Sequence, residues 1–163
     1  MTKRTFIIIG ILLLAGAVAA ELFYFRFHTY FQSTVVNEAI PSEIKEGTPA
    51  ESKVPVLVSG SFVAVDTVHK GSGTAKIILQ GDKQYLRLEN FQVTNGPDLY
   101  VYLSESRTPG SDLKSLDKYI SLGRLKGNVG DQNYEIPEIF DGYYTAVIWC
   151  QKFGVLLSYA LME

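Results

Sequence analysis

The sequence predicts an all-β fold, a two-sheet antiparallel β-sandwich preceded by one N-terminal transmembrane helix. Three observations carry that expectation. Residues 3–25 are almost uniformly apolar behind a basic start. After residue 55 the chain breaks into short runs of period-two hydrophobicity, bounded by Gly, Asn, Asp and Pro. Ten Tyr and nine Phe supply the aromatic side chains that suit a pleated, half-buried surface. A small closed barrel is the alternative arrangement of the same strands.

The first element is the helix. Lys3 and Arg4 precede an unbroken apolar run from Phe6 to Ala20, and after Glu21 the run resumes as Leu22-Phe23-Tyr24-Phe25. Phe6 to Phe25 matches the roughly 20 residues that a spanning helix requires. Phe23, Tyr24, Phe25, Phe27, Tyr30 and Phe31 have the composition of an aromatic belt at the far interface. By the positive-inside rule, the N-terminus stays cytoplasmic and the C-terminal domain is extracytoplasmic. Residues 1–31 therefore read as a membrane anchor. The competing reading is a signal peptide cleaved near Ala19, after the A-x-A-like Ala17-Val18-Ala19, which makes the domain a secreted one. A buried core helix is disfavoured, because nothing downstream resembles a helical partner.

Residues 32–55 read as an extended tether. Pro41, Gly47, Pro49 and Pro55 alternate with Glu43, Lys45, Glu46, Glu51 and Lys53, a mixture that buries too little apolar surface to pack. Val35 and Val36 are apolar enough to lie on the edge of the domain instead.

Residues 56–163 form the domain. Val56–Val65 is the first strand, and Gly73–Gln80 the second, with Ala75, Ile77 and Leu79 on one face. Gly81-Asp82 suits a two-residue type II′ turn, which prefers Gly first. Tyr85–Phe91 returns with Leu86 and Leu88 inward. Asn95-Gly96-Pro97-Asp98 is a turn signal. Leu99–Ser104 follows, with Leu99, Val101 and Leu103 inward and Tyr100 and Tyr102 outward. Residues 105–116 read as a loop containing at most one helical turn. Lys118–Leu122, Gln132–Ile136, Tyr143–Gln151 and Val155–Met162 complete eight strands. Both faces of Tyr143–Cys150 are largely apolar, so that strand is central. The spacing of short strands and turns is that of a sandwich.

Composition narrows the function. The net charge of −2 and the absence of a basic block exclude tracking of a phosphate backbone, so no nucleic-acid partner is expected. The chain lacks G-x-S-x-G, H-E-x-x-H and G-x-x-x-x-G-K, so neither a hydrolase nor a transferase is indicated. Cys150 is the single cysteine. An intrachain disulfide is therefore impossible, although a disulfide-linked dimer is permitted. In an exported domain this thiol is buried, reactive, liganded or joined to another molecule.

The order of several motifs resembles the electron-transfer DM-thirteen domain family. Gly60-Ser61-Phe62 and His69-Lys70-Gly71-Ser72-Gly73-Thr74-Ala75 match its opening. Leu86-Arg87-Leu88-Glu89-Asn90-Phe91 and Asn95-Gly96-Pro97-Asp98-Leu99-Tyr100-Val101-Tyr102-Leu103 follow. Then come Leu122-Gly123-Arg124-Leu125-Lys126-Gly127, Tyr134-Glu135-Ile136-Pro137 and Val147-Ile148-Trp149-Cys150-Gln151-Lys152-Phe153. The match covers about residues 58–162 of the chain. The resemblance implies an extracytoplasmic β-sandwich related in architecture to domains that hold haem or sugar, with Cys150 as the redox centre.

Two functions follow. In the first, a membrane-tethered module transfers electrons to a redox or protein partner through Cys150. That requires an accessible thiol of lowered pKa, with Lys152 on the same face as Cys150 if the strand alternation continues. In the second, the domain is a non-catalytic ligand-binding or assembly module and Cys150 is a small core hydrophobe. His69, Trp149 and Met162 are the candidate cofactor-binding residues. A copper site wants two His, a Cys and a weak axial Met. Only His69, Cys150 and Met162 lie within the domain, since His28 sits beside the helix, so no metal site is assigned. Haem through His69 or Met162 lacks a covalent attachment motif. His69 in its Gly-rich surroundings reads as a turn residue, and Asp98 as an Asx-type turn anchor rather than a calcium ligand. The outward Tyr100 and Tyr102, with Tyr143 or Tyr144, offer a ligand platform or pack under loops.

Overall fold

In the computed structural model the described residues are 3–22, 32–41, 54–137 and 142–163. The expected aromatic belt over residues 23–31 lies outside them, as does most of the Pro/Glu/Lys-rich stretch. Helix α1 spans Lys3–Ala20 and buries none of its residues. By length and composition it can cross a membrane or serve as a signal sequence.

The domain is a sandwich of two antiparallel sheets. Strands β1 (Val56–Ser61), β3 (Gly71–Gln80), β4 (Lys83–Val93) and β7 (Gln132–Ile136) form one, in the order β1-β3-β4-β7. Strands β2 (Val63–Ala64), β9 (Val155–Leu161), β8 (Thr145–Cys150), β5 (Leu99–Ser104) and β6 (Tyr119–Arg124) form the other, in the order β2-β9-β8-β5-β6.

The expected single strand Val56–Val65 is divided between the sheets. β1 pairs with β3 and β2 pairs with β9. The break falls at Phe62, whose ring turns into the core and meets Phe91 edge-on at 4.9 Å. Burial of that ring outweighs continuation of one ladder, because a buried Phe contributes about 1.5–3 kcal/mol. The division gives nine strands among the described residues where eight are expected.

The β3–β4 hairpin turns on Gly81-Asp82 between the paired Gln80 and Lys83. Gly81 takes φ +57° while Asp82 does not enter the positive region, the pattern that a type II′ turn demands. β8 lies between β5 and β9 and is buried along its whole length, so it is the central strand expected from its two apolar faces.

Alternation within the strands makes two cores. Ala75, Ile77, Leu86, Leu88, Leu99, Val101, Leu103, Ala146, Ile148 and Cys150 meet between the sheets. Tyr102, Val147, Trp149 and Leu156 face the other side of the five-stranded sheet. There Leu116 covers them, from a 3₁₀ turn at Leu113–Leu116. Asp112 caps that turn by accepting from the Ser115 N–H at 3.1 Å, and Ser104 Oγ donates to the Leu116 carbonyl at 2.6 Å.

Residues 32–39, expected to begin the tether, are extended but bound to the domain as a strap. Val35 forms a parallel bridge with Val129. Val36 N–H donates to the Val129 carbonyl at 2.9 Å, and Glu38 N–H to that of Asp131 at 2.8 Å. The stretch escapes a composition-based reading because backbone groups and one carboxylate hold it, not apolar burial. Arg87 explains part of the hold. It projects from the outer face of β4, yet is only 4% exposed, because the strap lies over it. Its guanidinium donates to Asp131 Oδ2 and to the Glu38 carbonyl, both at 2.6 Å, and to Asn133 Oδ1 at 3.1 Å.

Candidate functional site

Cys150 ends β8, opposite Leu99 of β5 and Val155 of β9. Its side chain points between the sheets and is 2% exposed. The chain turns immediately afterwards: Gly154 N–H donates to the Cys150 carbonyl at 2.9 Å, and Gln151 N–H to that of Asp98 at 2.9 Å. The strand alternation therefore stops at Cys150. Lys152 does not continue its face. What Lys152 supplies is its backbone N–H.

Burial pushes the Cys150 thiol up from its ordinary value. Backbone N–H groups of Phe153, Asp98 and Lys152 act in the opposite direction by hydrogen bonding to the sulfur, and the nearby Asp98 carboxylate adds to the rise. Desolvation wins, since no positive charge among the described residues offsets it. The accessible thiol of lowered pKa that a redox role requires is therefore not the arrangement found. The sulfur sits among the apolar side chains of the inter-sheet core.

The other candidates do not converge on the sulfur. Trp149 is buried on the opposite face of the same strand, against Tyr102, Val147, Leu116 and Leu156. Its indole N–H has no partner among the described residues. Met162 is buried in the inter-sheet core, but it follows β9 seven residues after Val155, about 23 Å away along a strand. His69 lies in the loop between β2 and β3. Its Nδ1 is 2.7 Å from Asp66 Oδ2, while Asp66 Oδ1 accepts from the Val68 and His69 N–H groups at 2.7 and 2.6 Å. Those hydrogen bonds from His69 hold the Asp66 carboxyl down at about 2. The loop is thus an Asx-type turn, as its composition suggests. No group of three or more His, Cys, Asp or Glu that could hold a metal occurs among the described residues.

The Asp98 carboxylate faces Arg124 at the end of β6, with Oδ1 2.8 Å from the guanidinium, and it is the Asp98 backbone carbonyl that accepts from Gln151 N–H. The tyrosines do not make an open platform. Tyr102 is covered, Tyr143 is in the core and Tyr100 is half-buried, while Tyr144 is exposed with the Arg107 guanidinium 4.3 Å from its ring centroid. Beside the Asn95–Asp98 turn lies a polar groove of about 220 Å³, lined by Gln32, Asn95, Pro97, Arg124, Lys126 and Asn128 among others.

A family model described as electron transfer DM13 matches residues 61–162, well over half of the chain. The chain belongs to the electron-transfer DM13 family. No curated protein and no solved structure matches it. The matched region starts at the end of β1 and ends just past β9, so it includes Cys150 and excludes α1 and the strap. Within the DM13 domain, the amides around the sulfur could not be found from residue types, since backbone N–H groups leave no compositional mark. The indirect signal was the Asn95-Gly96-Pro97-Asp98 turn directly before a strand that pairs with β8.

Proposed function

We propose that this protein is a membrane-tethered, extracytoplasmic redox module that works through Cys150 as a protected thiol. The observation that carries the reading is membership of an electron-transfer family in a chain whose single sulfur sits at the end of β8, beside the 151–154 turn. The apolar α1 supports the tether.

One cysteine cannot close a disulfide within its own chain. A two-electron exchange must therefore finish on a second molecule. Cys150 loses its proton, its thiolate attacks one sulfur of a partner disulfide, and the partner's other sulfur leaves as a thiolate. The product is a mixed disulfide. In the closed state the thiol remains protonated at neutral pH. Reaction requires the turn at 151–154 to open, which the short connection at the end of the sheet permits.

A second reading is favoured by the same residue's burial. A sulfur 2% exposed, with its pKa raised, behaves as a core hydrophobe, and the domain is then a ligand-binding or assembly module. Alkylation of the full chain in vesicles separates the two. Under the redox reading, native Cys150 labels slowly but faster than the domain unfolds, and the rate rises with pH. Labelling that occurs only at the rate of global unfolding, together with unchanged partner capture by Cys150→Ala, establishes the binding module instead.

A further inference from the structure

We infer that one end of the sandwich, bearing Val65, Val68 and Phe153, rests on the lipid surface of the membrane that holds α1, so that the Cys150 end of β8 is turned toward that membrane. The inference rests on the tethered reading above, in which α1 stays in the bilayer.

Strand directions define the end. β8 finishes at Cys150 and β9 starts at Val155. β5 starts at Leu99, β4 finishes at Val93 and β3 starts at Gly71. The loops 65–70, 94–98, 125–131 and 151–154 therefore share one end of the sandwich, and the 3₁₀ turn and the β3–β4 hairpin lie at the other.

The strap enters at the Cys150 end. Asn95 Nδ2 donates to the Gln32 carbonyl at 2.9 Å. From there the strap climbs away: Thr34 N–H donates to Asn128 Oδ1 at 2.7 Å, and Asn133 Nδ2 to the Ala39 carbonyl at 2.8 Å. Ten peptide steps separate Leu22 from Gln32 in the sequence. They span at most about 36 Å. Were the strap free, the first held residue would be Pro55, whose carbonyl accepts from Leu79 N–H at 3.0 Å, 33 steps on, with a reach of about 120 Å. Docking of the strap thus brings the domain close to the membrane and brings this end nearest.

The surface at this end suits lipid. Val68 is 64% exposed, Phe153 45% and Val65 40%. They occupy the loop beside β2 and the β8–β9 turn, which are neighbours because β2, β9 and β8 are consecutive in the sheet. Lys70 and Lys152 flank them. The acidic groups nearby are engaged: Asp66 by His69, Asp98 by Arg124, and Asp131 by Arg87. Apolar tips flanked by lysines match the boundary between acyl chains and headgroup phosphates.

The test uses the full chain in anionic vesicles whose lipids carry brominated acyl chains, which quench nearby tryptophan. Phe153→Trp and Val68→Trp report on this end and Leu113→Trp on the other, each with the signal of the buried Trp149 subtracted. The expected result is loss of about half the emission or more at positions 153 and 68 and little at 113, as for side chains at the acyl boundary. Equal quenching at all three, or more at 113, overturns the orientation. A blue-shifted but unquenched Phe153→Trp overturns it in favour of a protein partner on this surface. Release of the chain by alkaline carbonate removes the tethered reading as well, whereas retention without quenching removes only the present inference.

Discussion

Two buried polar side chains, one in each sheet, are treated oppositely by the fold. Arg87, 4% exposed, has its donors taken up by Asp131, Asn133 and the Glu38 carbonyl. Cys150, 2% exposed, has its thiol pushed up by burial, with no opposing positive charge among the described residues. Burial taxes both charges alike. An opposite charge offsets that tax at Arg87, and dipoles alone do not at Cys150. The difference assigns roles: the first site is a permanent clasp between strap and sheet, and the second can carry charge only when it opens.

The clasp is the more fragile under mutation. Arg87→Ala removes the donor to Asp131 Oδ2 and the Glu38 carbonyl; Asp131 is about one-third exposed and keeps the Asn90 N–H, so the loss should be about 1–3 kcal/mol. Denaturant unfolding of the full chain in detergent should show a midpoint lowered accordingly. A loss below about 1 kcal/mol would place Arg87 in the ordinary class of exposed pairs and erase the contrast.

Gly130 tests whether the strap can be lost separately from the sandwich. It has φ +101°, and a Cβ there would collide with the Val36 carbonyl oxygen. Gly130→Ala therefore strains the backbone and pushes the strap outward, at about 1–3 kcal/mol. Limited proteolysis should cleave within residues 32–41 faster in the variant, while the near-ultraviolet signal of the packed Trp149 persists. Loss of that signal would make strap and sandwich one cooperative unit.

The same contrast explains what was legible beforehand. Strands announced themselves wherever one face is apolar: Leu99, Val101 and Leu103 alternate with Tyr100 and Tyr102, and the buried set follows that alternation. The turn at Gly81-Asp82 was legible because a backbone conformation selects a residue type. The division at Phe62 was not, since an aromatic residue in an apolar run looks alike in one strand or between two. The strap was not, since Thr34, Val36 and Glu38 are held through main-chain groups. The Cys150 socket was half legible. The unpaired thiol stood out, but its depth and its amides depend on where β8 ends, and alternation carried past that end put Lys152 on the wrong footing.

Alkaline titration sharpens the Cys150 side of the comparison. A thiol whose folded pKa is raised binds its proton longer in the native state than in the unfolded one. Its contribution is complete below the unfolded value of about 8.5 and is lost as pH rises through the folded pKa. Stability of the parent chain should therefore decline above that pH more steeply than that of Cys150→Ala. Parallel curves would mean the thiol ionises as readily folded as unfolded, and the socket would lose its protective role.

The smallest effect belongs to Glu38, which joins strap to sheet from the solvent side. Burial alone would raise its carboxyl, but hydrogen bonds from the Lys126 ammonium and the Asn133 N–H, together with the Lys126 charge, hold it below its ordinary value. Lys126 Nζ lies 2.7 and 3.0 Å from the two carboxylate oxygens. The pair is one-third exposed on the Glu38 side, so Glu38→Gln should cost under about 1 kcal/mol at neutral pH. A lowered carboxyl contributes stability above its unfolded pKa and loses it as pH falls through the folded one. The parent and Glu38→Gln should accordingly converge in unfolding midpoint as pH drops below about 4. A gap that persists in acid would mean that Glu38 holds the strap by shape and neutral hydrogen bonding rather than by charge, leaving Arg87 as the ionic component of the clasp.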